Sequence, residues 1–108
     1  MSKASYWQRG ESLDYMNSTD TTIEVNTVIE LAERVGVAGG DIKPGETGTL
    51  HVSGVFEFGK TSANEISLGA SVYFDGTGIT EVEEGNVYAG FATEKSIAGA
   101  PKILVKIG

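Results

Sequence analysis

Gly54, Gly59, Lys60 and Thr61 satisfy the spacing G-x-x-x-x-G-K-[ST]. In that pattern a small loop wraps backbone N–H groups around a phosphate while the lysine and hydroxyl reach its oxygens and a magnesium ion. Val72-Tyr73-Phe74-Asp75 offers a companion, an apolar run ending in an acid of the kind that holds magnesium. The chemistry would be that of a nucleotide-binding enzyme. The residues between the glycines argue against it. Val55, Phe56, Glu57 and Phe58 are three bulky strand formers and a carboxylate that would repel phosphate. Ser62 to Gly69 leaves room for about two helical turns, too few for a crossover helix. Asp75-Gly76 is also the strongest hairpin-turn dipeptide in the chain. The segment reads instead as a strand from about Thr47 to Phe58. Leu50, Val52, Phe56 and Phe58 share one side, and Thr49, His51, Ser53, Val55 and Glu57 the other. Both phenylalanines are then expected in the core, and Lys60→Ala is expected to leave fold and function nearly unchanged.

No other residue set carries a reaction. His51 is the only histidine and lies mid-strand, with no nucleophile motif around any serine. The acids Glu81, Glu83 and Glu84 form a rim beside a hairpin, which reads as a solvated edge; the regular calcium-loop spacing is absent. The chain has no cysteine, which removes disulfides, thiol catalysis and Cys-ligated zinc. No catalytic residue, metal ligand or cofactor is assigned.

The elements that would position any site are strands. Val, Ile and Thr number 28 against 7 for Leu and Met, and 15 glycines punctuate them. The 108 residues make one small domain. A net charge of -7 and the lack of a basic stripe oppose nucleic-acid binding. The start has no apolar signal region and no run of about 18 apolar residues follows, so a soluble protein with no membrane contact is expected.

In chain order, residues 1–20 read as an N-terminal arm: polar, with isolated Tyr6, Trp7, Leu13, Tyr15 and Met16, closed by Asn17-Ser18-Thr19-Asp20. Tyr6, Trp7, Leu13 and Tyr15 are its candidate partner-binding residues, since aromatic anchors are enriched at interfaces. The β domain, residues 21–108, opens with an alternating run from Thr22 to Leu31, for which a strand is favoured over a helix capped by Thr27 and Glu30. Asp41-Ile42-Lys43-Pro44-Gly45 and Glu65-Ile66-Ser67-Leu68-Gly69 echo one another as tight turns, each with an isoleucine plugging the core. Five residues are too few to establish a duplicated domain. Ala70–Phe74 and Ile79–Val82 flank a hairpin turn; Val87, Ala89 and Phe91 continue the alternation, and Gly90 admits a close neighbour. Lys102–Ile107 is the last strand. The fold expected is all-β: a small antiparallel β-barrel or β-sandwich-like domain with an extended arm.

The order of these signals resembles the small phage and prophage head decoration, or capsid cement, proteins, members of which are often labelled RecA/RadA-type recombinases. The resemblance is carried by Tyr6, Gly10 and Leu13-Asp14-Tyr15, then Val35-Gly36-Val37-Ala38, Asp41-Ile42 with Gly45-Glu46 and Gly48. It continues through Gly54-Val55-Phe56-Glu57-Phe58 with Lys60, Gly69-Ala70 with Val72-Tyr73-Phe74-Asp75, and Val105-Lys106-Ile107. It implies a structural virion protein on the outer surface of the head, binding the major capsid protein and stabilising contacts between its subunits. It also implies a homo-oligomer, with a trimer favoured. The competing readings are a nucleotide-binding enzyme through Gly54–Thr61 and a generic β adaptor for another protein.

Overall fold

Short β-branched runs separated by turn residues give nine strands and no helix in the computed structural model, which describes residues 1–108. They are β1 (Ser12–Met16), β2 (Val28–Glu30), β3 (Val35–Ala38), β4 (Thr47–His51), β5 (Gly54–Gly59), β6 (Ser71–Phe74), β7 (Ile79–Thr80), β8 (Val87–Ala92) and β9 (Lys102–Ile107). They form two antiparallel sheets, ordered β1-β4-β3-β2 and β5-β9-β8-β6-β7. One parallel bridge, Lys60 to Ile79, brings the end of β5 to β7 without closing the second sheet into a barrel. The all-β expectation holds in its sandwich-like form.

The two sheets repeat one plan. With the β7 hairpin arm set aside, β5-β9-β8-β6 has the connectivity of β1-β4-β3-β2. The bridge Ile23–Ile42 in the first half matches Ile66–Ser96 in the second. Ala38 N donates to Thr27 O at 2.9 Å, and Ala92 N donates to Ala70 O at 3.0 Å. The repeat is not the one the sequence echo suggested: Ile42 corresponds to Ser96 and Ile66 to Ile23, so the turns at Asp41–Gly45 and Glu65–Gly69 hold different places in the two halves.

Five turns, Glu24–Thr27, Lys43–Glu46, Ser67–Ala70, Glu83–Asn86 and Ile97–Ala100, each close with a hydrogen bond from the fourth N–H to the first carbonyl. In each, only the third residue has positive φ, which makes them type II turns: Asn26, Gly45, Gly69, Gly85 and Gly99 at 71 to 87°. Four use glycine because a Cβ is strained there; asparagine is the side chain that tolerates it best.

The main core lies between the sheets. Val35 and Val37 of β3 pack with Phe58, Val72, Phe74, Ile79, Ile103, Val105 and Ile107, all buried. A smaller cluster, Ile42, Leu50 and Ala38, is buried on the other face of the first sheet. There Gly36 and Gly48 leave room for the Leu50 and Ile42 side chains, which an added Cβ would strike.

Three expectations change. The run from Thr47 to Phe58 is two strands in two sheets: the chain breaks at Val52-Ser53 and turns at Gly54 (φ 124°). Alternation survives the break, so the pattern conceals it. The run from Thr22 to Leu31 is likewise interrupted by the turn at Asn26, leaving the bridge at Ile23 and strand β2. The arm is shorter than residues 1–20. Ser12–Met16 pairs with β4 along its whole length, and Asn17 is fully buried, leaving residues 1–11 without strand or bridge.

Candidate interaction surface

The residues of the phosphate-like pattern are occupied in holding the fold. Gly54–Gly59 is a strand with every residue in register against β9, from Gly54–Ile107 to Gly59–Lys102. Its backbone therefore cannot curl into a cradle. Beyond it, Gly78 packs so close to Gly59 that a Cβ would stand 2.8 Å from the Gly59 carbonyl oxygen. Lys60 Nζ donates to the carbonyl oxygens of Ile97 (2.9 Å) and Ser96 (3.5 Å). Lys60 thus links β5 to the fifth turn, a contact that its place in the phosphate-like pattern did not reveal. It stands where Asn17 stands in the first half, because Asn17 Nδ2 donates to the carbonyl of Ile42, the counterpart of Ser96.

Thr61 Oγ1 donates to Asp75 Oδ2 at 2.6 Å, and Asp75 Oδ1 accepts the N–H groups of Thr77 and Gly78. The Thr61 hydroxyl and then the Gly78 amide hold the Asp75 carboxyl below its ordinary pKa. Glu81 is lowered in the same way by the hydroxyl of Ser62 and the amide of Asn64. Both acids are spent on loop 61–64 and the β6–β7 hairpin. No group of three His, Cys, Asp or Glu residues is placed to hold a metal ion. No helix is long and apolar enough to cross a membrane.

What the surface offers is apolar contact. Tyr6 and Trp7 are 82% and 89% exposed on the unpaired arm. Leu13 and Tyr15, the other two candidates, lie in β1, where Leu13 is exposed and Tyr15 half-buried. The structure therefore separates the four into a free pair and a pair fixed on an edge strand.

A second apolar surface is the outer face of the five-stranded sheet, where Val55, Lys106 and Phe91 stand side by side on β5, β9 and β8. Phe91 faces out because a bulge at Val72/Tyr73 sets two residues of β8 against one of β6 and shifts its phase after Ala89. Unbroken alternation from Val87 would have turned it in. Gly90 is required here, since any side chain would collide with the Lys106 carbonyl oxygen of β9.

A third feature, which the sequence did not reveal, is a cleft of about 390 Å³ between the sheets. Phe56, Phe58 and Phe74 meet Val28 and Val37 across it, with Asn26, Glu57 and Thr77 at its polar margin. Phe56 is consequently only half-buried, whereas Phe58 is 4% exposed. Only the break at Val52-Ser53, which puts β4 and β5 in different sheets, creates this gap.

No curated protein and no solved structure matches the chain. A family match does exist, and it spans nearly the whole chain, both sheets and the end of the arm included. Residues 7–107 match the phage cement protein family, and the chain belongs to that family.

Proposed function

We propose that this protein binds the outer surface of a phage head and clamps neighbouring major capsid subunits, with residues 1–11 as its attachment arm. Membership in the cement family gives a structural, capsid-associated role in the virion, and that family is not a class of enzymes. The observation that carries the finer reading is the arm. Tyr6 and Trp7 lie on a segment with no strand, no bridge and almost no cover, yet each would bury roughly 150–250 Å² against a partner. An extended segment of this kind binds by adding a strand to a sheet edge, with alternate side chains filling pockets. Ordering it costs about 1–2 kcal/mol per residue, so a single arm holds weakly. Copies repeated over a shell, as homo-oligomers or as clusters around three-fold positions, hold strongly through avidity.

The test is co-sedimentation with heads that lack the protein. The full chain is expected to sediment with them, and a chain without residues 1–10 to remain in the supernatant while keeping its β-sheet circular dichroism. Glu11 is retained because its carbonyl accepts the Val52 N–H. Truncation at residue 20 would be a poorer test, since it also removes β1. Full occupancy by the shortened chain would overturn the attachment role of the arm.

A further inference from the structure

We propose that copies of this protein join in tandem, the outer face of the five-stranded sheet of one copy, led by Phe91, seating on the outer face of the four-stranded sheet of the next, at Leu13 and Leu31. This rests on the reading of the protein as one that acts in repeated copies, and adds the surfaces that join them. The internal repeat supports it, because the two halves match in register. Leu13 faces Leu50 and Leu50 faces Ala38 in the first sheet, as Phe56 faces Val105 and Val105 faces Ala92 in the second. Val28–Val37 and Ile29–Gly36 likewise match Ser71–Phe91 and Val72–Gly90. Leu31 and Phe74, each two residues beyond Ile29 and Val72, are then counterparts as well.

Facing residues of antiparallel strands share one side of the sheet. Each half therefore has a side bearing Leu13 and Leu50, or their counterparts Phe56 and Val105. The opposite side bears Val28 and Val37, or Ser71 and Phe91. The core joins unlike sides, since Val28 and Val37 of the first half lie against Phe56 and Phe74 of the second. Halves of one plan joined in this way leave one side of each kind free of the other half: the Leu13 side of the first and the Phe91 side of the second. A second copy can repeat between molecules the contact that joins the halves within one.

Both free sides are shaped for it. Phe91 and Val55 are 39% and 55% exposed on one, and Leu13 is 40% exposed on the other. Leu13, Leu31 and Val52 line a hollow of about 400 Å³ with Arg34 at its margin. These residues match Phe56, Phe74 and Ile107, and each is smaller than its counterpart. The residue offered to them is larger in compensation, Phe91 in the place of Val37, so the summed volume is kept. Lys106, beside Phe91, matches His51, whose ring lies 6.0 Å from that of Phe56, so the internal contact already admits a polar side chain at this place. A contact between unlike faces is heterologous and closes into a ring or propagates.

Sedimentation equilibrium of the full chain without heads should show self-association, weakened roughly tenfold or more by Phe91→Lys and by Leu13→Lys. Circular dichroism checks that both variants stay folded. Each variant keeps the face that the other has lost, so their mixture should form a heterodimer that grows no further. Because the chain has no cysteine, Leu13→Cys and Phe91→Cys give a second reading that introduces no charge: oxidation of the mixture should cross-link the two proteins to each other in excess of either to itself. Charge variants that stay apart when mixed would overturn the proposal, as would association that survives both substitutions. Preferred cross-linking of Phe91→Cys to itself would replace it with a two-fold contact of like faces. A native chain that is monomeric at every concentration would also overturn it. The hollow would then belong to a capsid subunit if Leu13→Lys prevents sedimentation with heads, or to the chain's own arm if association appears once residues 1–10 are removed. The attachment role of the arm is decided separately, by whether the chain without residues 1–10 sediments with heads.

Discussion

Asn17 is the residue on which the first sheet closes. Its Nδ2 donates to the carbonyl oxygens of Ile42 and Thr21, both at 2.8 Å, and its Oδ1 accepts the N–H and hydroxyl of Thr19. A fully buried amide with all its bonds satisfied contributes more through what its loss strands than through the bonds themselves. Asn17→Ala leaves the Ile42 carbonyl with the Ile23 N–H alone and is expected to lower stability by about 2 kcal/mol. A urea midpoint that falls at constant slope would show it. The two phenylalanines of β5 separate on the same scale. Phe58→Ala is expected to cost about 3–5 kcal/mol, and Phe56→Ala about half of that because its ring is already half-exposed in the cleft. Equal losses in paired denaturation curves would contradict the cleft geometry.

Among the elements, the β6–β7 hairpin depends on one carboxylate. Asp75 accepts Thr61 Oγ1 and the two loop N–H groups more strongly when ionised, and its folded pKa is depressed below the ordinary 3.8. A depressed carboxylate stabilises the fold above its unfolded pKa and loses that contribution as pH falls through the folded value. Thermal stability should therefore decline as pH drops from about 5 to below 3.8, with Glu81 adding to the loss. Asp75→Asn should start lower near neutral pH and decline less steeply; parallel profiles for the two proteins would remove the carboxylate from the account. This hairpin and β9 were legible in the sequence because their signals are local: Asp75-Gly76 between two apolar runs, and strict alternation from Lys102 to Ile107. The turn at Glu24–Thr27 was hidden because asparagine stands where its four counterparts have glycine. The break at Val52-Ser53 was hidden because crossing from one sheet to the other does not disturb period 2. The exposure of Tyr6 and Trp7 could be read from their lack of apolar neighbours, whereas the cleft joins residues as distant as Val28 and Phe74, whose meeting is a property of the fold.

The whole molecule is thin and thinly cored. It measures 44 × 40 × 23 Å, and its radius of gyration of 15.1 Å exceeds the roughly 13 Å of a compact chain this long. Only 21 of its 108 residues are buried. Such a domain has little stability to spare when free, and a surface it binds then becomes part of what keeps it folded. The linkage is quantitative: a partner present at 100 times its dissociation constant adds about 2.7 kcal/mol to the bound protein. For a domain near 100 residues, about 1 kcal/mol corresponds to a shift of roughly 4–8 °C, so binding to heads should raise its unfolding temperature by roughly 10–20 °C. The same coupling requires the head's own transition to rise, which is the mechanical meaning of cement. Calorimetry of decorated and undecorated heads beside the free protein reads both transitions in one experiment. Removing residues 1–10 should cancel both shifts and leave the free protein's transition where it was, because that segment contributes nothing to either core. A truncated chain whose free transition falls by several degrees would show that the arm stabilises its own domain, and its part in the clamp would then have to be measured with point variants at Tyr6 and Trp7 instead.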